Sequence, residues 1–139
     1  MITVHPPIWH TTPAGELHYA ALVRGLPESF YEADGGGVYI DYFIMPLIVG
    51  LNELGYETDF SCSGLKVEHT DPYCAGYVSF VGYNPPPDVP KSFYNDGGVI
   101  RTHDARRLGL NAISEYAKVT RWIEWMDVVK ARLGKGVAA

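Results

Sequence analysis

The sequence predicts an α+β fold, a small mixed or antiparallel sheet packed against two main helices, on three observations. Phe43, Ile44, Leu47, Leu51 and Leu54 recur at helical spacing up to Gly55. Two short segments, 56–60 and 76–82, are rich in the aromatic and β-branched residues of buried strands. Leu108, Ala112, Tyr116, Val119, Ile123, Met126 and Val129 form one apolar stripe along a long final helix. Short strands lying close together among helices are best fitted by a small sheet under two helices.

Taken in order, Pro6, Pro7 and Pro13 bar regular helix from residues 1–13, which reads as an extended arm laid over the core by Ile8 and Trp9. Residues 17–24 suit a strand or a short helix equally. Gly35-Gly36-Gly37 breaks the chain before the first helix, where Pro46 lies in the first turn or kinks the helix and Gly55 stops the far end. A polar loop, 61–74, separates the two aromatic strands. Pro85-Pro86-Pro87 is a stiff extended connector and 98–102 another short strand. Asp104 is placed to cap the final helix and Gly134 to end it.

The chain has 139 residues, 47% of them hydrophobic and 19% charged, which suits a single domain, 1–139, with a substantial core. No run approaches the roughly 18 apolar residues of a membrane helix and no signal peptide is visible, so a soluble cytoplasmic protein is expected. Two cysteines, Cys62 and Cys74, are expected to stay unpaired in a reducing compartment. The formal net charge is −5, but unevenly spread. Up to Pro90 the only basic residues are Arg24 and Lys66, whereas the remaining Lys and Arg all follow, giving a basic last third that could steer a phosphate-bearing partner. The absence of glutamine, with few asparagines and many prolines and tyrosines, leans toward a thermophilic source.

The chemistry concentrates in Asp59-Phe60-Ser61-Cys62-Ser63-Gly64, small polar residues at the end of a strand. Three uses compete for it. In one, Ser61, Ser63 and Gly64 turn backbone N–H groups toward an anion, with Asp59 beside them and Arg101, Arg106 or His103 completing the pocket. In the second, Cys62 is a nucleophile activated by His69 or His103, because a thiolate needs a nearby base or cation at neutral pH. Against both stands plain packing, with Cys62 a small buried residue and Gly64 supplying a positive φ. The third use is a metal held by Cys62, His69 and Cys74 with Asp59, Asp71 or His103. The spacing matches no standard zinc pattern and no Cys-x-x-Cys pair exists, so no metal ligands are assigned. His5, His10 and His18 read as surface or interface residues. Trp122, Trp125 and Tyr116 read as core or homodimer interface rather than as a base-stacking platform.

The apolar helix ending in Leu51-Asn52, then Gly55-Tyr56, Thr58, Ser61-Cys62-Ser63-Gly64 and the strand Tyr77-Val78-Ser79-Phe80, resembles the wybutosine-synthesis tRNA methyltransferase family and small archaeal and phage relatives. The match covers residues 38–82, with Leu65 and Phe60 where the methyltransferases carry arginine and serine. The resemblance implies an α+β fold, S-adenosylmethionine as cofactor and a modified guanine in tRNA as substrate. Glu68-His69 resembles the acidic-His pair downstream of the same turn in the small relatives. A non-catalytic protein binding a small anionic ligand is the alternative, and Cys62 and His69 are the candidate catalytic pair.

Overall fold

Residues 17–24, ambiguous in sequence, form the longest strand, and one of two sheets is built around it. The computed structural model describes residues 2–26, 37–69, 76–103 and 113–138. Strands β1 (Thr3–Val4), β2 (Ile8–Thr11), β3 (Leu17–Arg24) and β4 (Val38–Asp41) make the first sheet. Val23 pairs with both Val4 and Val38, and Ala20 with both Ile8 and Asp41, so β1 and β2 share one edge of β3 and β4 takes the other. The Pro6-Pro7 step shifts the β1–β2 register by one residue, because neither proline has an N–H for the ladder. The arm is therefore an edge strand held by main-chain pairing. Ile8 and Trp9, expected to cover the core, are about half exposed, at 49% and 53%.

Helix α1 (Met45–Glu53) follows β4, with Pro46 in the first turn, where its missing N–H costs nothing. It ends in a Schellman motif: the Gly55 N–H donates to the Asn52 carbonyl, the Tyr56 N–H to the Leu51 carbonyl, and Gly55 adopts φ 94°. Buried Asn52 then ties the helix to the next strand, donating from Nδ2 to Thr58 Oγ1 at 3.0 Å.

The second sheet is antiparallel in the order β5 (Thr58–Cys62), β6 (Tyr77–Phe80), β8 (Val99–Thr102), β7 (Phe93–Asp96). The class is the expected α+β, but among the described residues there are two antiparallel sheets, with eight strands between them, rather than one. A bulge at Asp59 shifts the β5–β6 register. Strand β7 was not foreseen; its cue was Asp96-Gly97-Gly98-Val99. Gly97 and Gly98 both have positive φ, as a two-residue hairpin turn with the strand twist requires.

Helix α2 (Glu115–Ala138) is capped by Ser114, whose Oγ accepts the Ala117 N–H at 3.1 Å. The expected cap Asp104 and the stripe residues Leu108 and Ala112 lie outside the described residues. Two expectations are corrected. The helix runs through Gly134, and its buried face is Lys118, Trp122, Trp125 and Val129, while Tyr116 is 82% exposed and Ile123 about half exposed. The two tryptophans carry the largest apolar areas, so they set the helix phase. They stack at 6.2 Å and meet Phe93 and Phe80 of the second sheet. Among the described residues no helix is long and apolar enough to cross a membrane.

The helices meet where α1 has no side chain. A Cβ on Gly50 would lie 2.6 Å from Val129 Cγ1, a β-branched group with little rotamer freedom. Gly50→Ala is expected to destabilise the protein by about 1–3 kcal/mol through overpacking, despite alanine's better helix propensity. Urea unfolding monitored by tryptophan fluorescence checks this; a midpoint at or above the parent's would show that the helices separate without cost.

Candidate metal centre

Asp41, the last residue of β4, is a carboxylate left only 5% exposed between the two sheets. Burying a charge demands donors, and two reach the same oxygen. The Ser63 N–H donates to Asp41 Oδ2 at 2.6 Å, and His69 Nε2 lies 2.6 Å from that oxygen. The carboxylate accepts only, so His69 Nε2 carries the hydrogen. On the other side His18 Nδ1 stands 3.8 Å from Asp41 Oδ1. His18 and His69 face each other through an antiparallel bridge, their ring centroids 4.1 Å apart.

His18, Asp41 and His69 each offer one ligand atom, and these atoms all lie within 4.8 Å of one another. Two outer contacts orient them. Glu16 Oε2 sits 3.2 Å from His18 Nε2, the ring nitrogen turned away from Asp41, while the Ser63 N–H holds Oδ2. A carboxylate on the far nitrogen of a histidine fixes its ring and raises its basicity as a metal ligand. His18 and Asp41 line a cleft of about 1070 Å³, with β2, β3 and β4 on one side and β5 and β6 on the other. The described lining includes Glu16, Asp41 and Asp59 and no Lys or Arg.

The loop after β5 is fixed from above by α2. Trp122 Nε1 donates to the Ser63 carbonyl and Lys118 Nζ to the Gly64 carbonyl, both at 2.8 Å. Glu115 accepts the Lys66 N–H at 3.0 Å and lies 3.3 Å from Lys118 Nζ. Buried Lys118 thus has a carbonyl and a carboxylate for its charge.

The expected site residues separate into two groups. Ser61 and Cys62 are paired in the β5–β6 ladder rather than in an open turn. Ser63 spends its N–H on Asp41, so the anion served by this amide is the protein's own carboxylate. Gly64 has φ 70°. Cys62 Sγ lies 3.8 Å from His69 Nε2, which brings the expected pair into contact. A relay would put the thiol on one ring nitrogen and the carboxylate on the other. Here both converge on Nε2, whose hydrogen goes to Asp41. Asp59 closes its bulge by accepting the Phe60 N–H and lines the cleft. Arg101 lies elsewhere, paired with Asp96 at 3.3 Å and over the Tyr77 ring. His103 packs on Tyr94. Cys74, Asp71 and Arg106 lie outside the described residues. Of the metal ligands weighed in sequence, His69 joins the cluster; its partners His18 and Asp41 were missed. The histidine beside a strand alternation was the available signal for His18, whereas nothing local marks Asp41.

Glu68, next to His69, is 3% exposed, and burial pushes its carboxyl above the usual glutamate range. The Phe43 N–H, bonded to Oε2 at 2.8 Å, opposes the shift. So does the nearby Ser63 hydroxyl, which accepts the Leu65 N–H and keeps its own hydrogen to donate. With the folded pKa raised, the native state keeps a proton that the unfolded chain loses above its own glutamate pKa, so stability falls as pH rises through that window. Glu68→Gln removes the ionisation penalty. In metal-free protein the variant is expected to gain stability over the parent as pH increases from 4.5 to 8, read from thermal melts in chelator. A gap that stays constant or narrows with pH would contradict the burial account.

No family model matches the sequence, nor does any curated protein or solved structure.

Proposed function

We propose that this chain binds a divalent first-row transition-metal ion through His18, Asp41 and His69 and presents it to a small molecule in the adjoining cleft. The convergence of three ligand atoms within 4.8 Å carries this proposal. Ligand bonds of about 2.0–2.2 Å put tetrahedral ligands roughly 3.3–3.6 Å apart, so small side-chain shifts suffice. Two imidazoles and one carboxylate suit zinc or iron and leave coordination positions open, as in catalytic rather than structural sites. Such an ion lowers the pKa of bound water and polarises a carbonyl or phosphoryl oxygen, which makes metal-assisted hydrolysis the reaction class. The acidic lining draws cations, so an anionic ligand would be held here through the ion.

Chelator-treated protein is expected to bind about one equivalent of Co²⁺ with the visible absorption of a low-coordinate site. His18→Ala and His69→Ala should abolish it, and Glu16→Gln should weaken it by about 10–100-fold. Absence of uptake, or uptake indifferent to both histidines, would refute the site.

A second proposal is methyl transfer from S-adenosylmethionine to tRNA, as the Ser61–Gly64 resemblance implies. The cleft volume and its carboxylates suit a cofactor that carries a sulfonium cation. Calorimetry decides between them: micromolar binding of S-adenosylmethionine by metal-free protein favours methyl transfer, and no heat removes it.

A further inference from the structure

Side chains alternate across a strand, so β2 and β3 present one set to the cleft and the other to the opposite face of the sheet. His10 and His18 pair in register and line the cleft; Trp9 and Tyr19, one residue along, pair in register and do not. They belong to a second, shallow groove of about 460 Å³, lined mainly by apolar groups.

Three rings wall this groove. Trp9 and Tyr19 lie with centroids 5.2 Å apart and planes tilted by 48°, and Tyr42 meets Tyr19 edge-on at 5.5 Å and 77°. Trp9 and Tyr42 are 53% and 44% exposed, so their faces are open to a ligand. Glu68 is the one acidic residue in the described lining, and no Lys or Arg accompanies it there. Its Oε1 is buried with no hydrogen-bond partner. The walls are held by the main chain around Glu68: its carbonyl accepts the Tyr19 N–H at 2.8 Å, its Oε2 accepts the Phe43 N–H at 2.8 Å, and the Tyr19 carbonyl accepts the Tyr42 N–H at 3.0 Å.

We infer that this groove is an aromatic cage for a small quaternary ammonium compound, with Trp9, Tyr19 and Tyr42 supplying ring faces. An aromatic face attracts a cation through its quadrupole, most strongly for tryptophan, and the attraction survives when the cation has no N–H to donate. An alkylated ammonium also buries its methyl groups against the same rings, which a hydrated lysine or a metal ion does less well. The groove volume falls within the range of small-molecule sites, and the main chain that carries Tyr19 and Tyr42 is already held by hydrogen bonds. This site is separate from the proposed metal centre.

The test titrates chelator-treated protein with choline and with 3,3-dimethyl-1-butanol, its uncharged isostere, following tryptophan fluorescence and calorimetric heat. Choline is expected to bind saturably and the isostere at least tenfold more weakly. Trp9→Ala should weaken choline binding by about 2–30-fold, the span of one cation–π contact. Tyr42→Phe, which keeps the ring face, should retain it. Trp9 is exposed, so its loss leaves the core intact, and Co²⁺ titration of Trp9→Ala must match the parent, separating failure here from failure of the metal centre. Equal binding of choline and its isostere, choline binding unaffected by Trp9→Ala, or no choline binding each overturns the cage.

Discussion

The buried carboxylate of Asp41 is the constraint around which the two sheets are arranged. A charge taken out of water carries a desolvation penalty of several kcal/mol, offset only by well-placed donors. Those donors come from far along the chain: Ser63, 22 residues on, and His69, 28 residues on. Meeting them brings the end of the first sheet against the end of β5 and draws the 63–69 loop back over β3. The loop is then secured by Trp122 and Lys118 of α2, the helix whose tryptophans fill the core of the second sheet. One polar contact thus connects both sheets and the long helix.

The same arrangement favours the proposed metal ion. A carboxylate and an imidazole sharing one hydrogen satisfy each other, and a purely structural network could stop there. Asp41 goes further, since Oδ1 faces a second imidazole whose far nitrogen is itself met by Glu16. A network built only for stability gains little from crowding a second histidine and another acid beside a buried charge, because like charges and desolvation both oppose it. A bound divalent cation would remove that conflict, since every one of those groups would then face an opposite charge or a lone-pair acceptor.

Local features were legible in the sequence and long-range ones were not. Helix α1 is read correctly down to Pro46 in its first turn and Gly55 at its stop, because propensity and caps act within one helical turn. The contact between Cys62 and His69 was also within reach, as both lie in one short segment. His18 and Asp41 were missed because strand pairing brings them together, and register is a property of two segments. The phase of α2 was misjudged for a related reason. Apolar periodicity gives Tyr116 and Lys118 opposite assignments, yet Lys118 is buried because the Gly64 carbonyl and Glu115 await its ammonium, and those partners are visible only in three dimensions.

Strand alternation also makes one hairpin serve two surfaces. Stepping one residue along β2 and β3 exchanges imidazoles for aromatic rings, so the pair His10–His18 faces a polar cleft and the pair Trp9–Tyr19 an apolar groove. The segment containing Glu68 and His69 repeats this division, His69 joining Asp41 while Glu68 anchors the backbone of Tyr19 and Phe43. A one-residue slip of β3 against β4 would move His18 away from Asp41 and carry an aromatic ring into its place, destroying both surfaces together. The Pro6-Pro7 bulge absorbs the register change on the β1–β2 edge, where it leaves the β3–β4 pairing that assembles the cluster untouched.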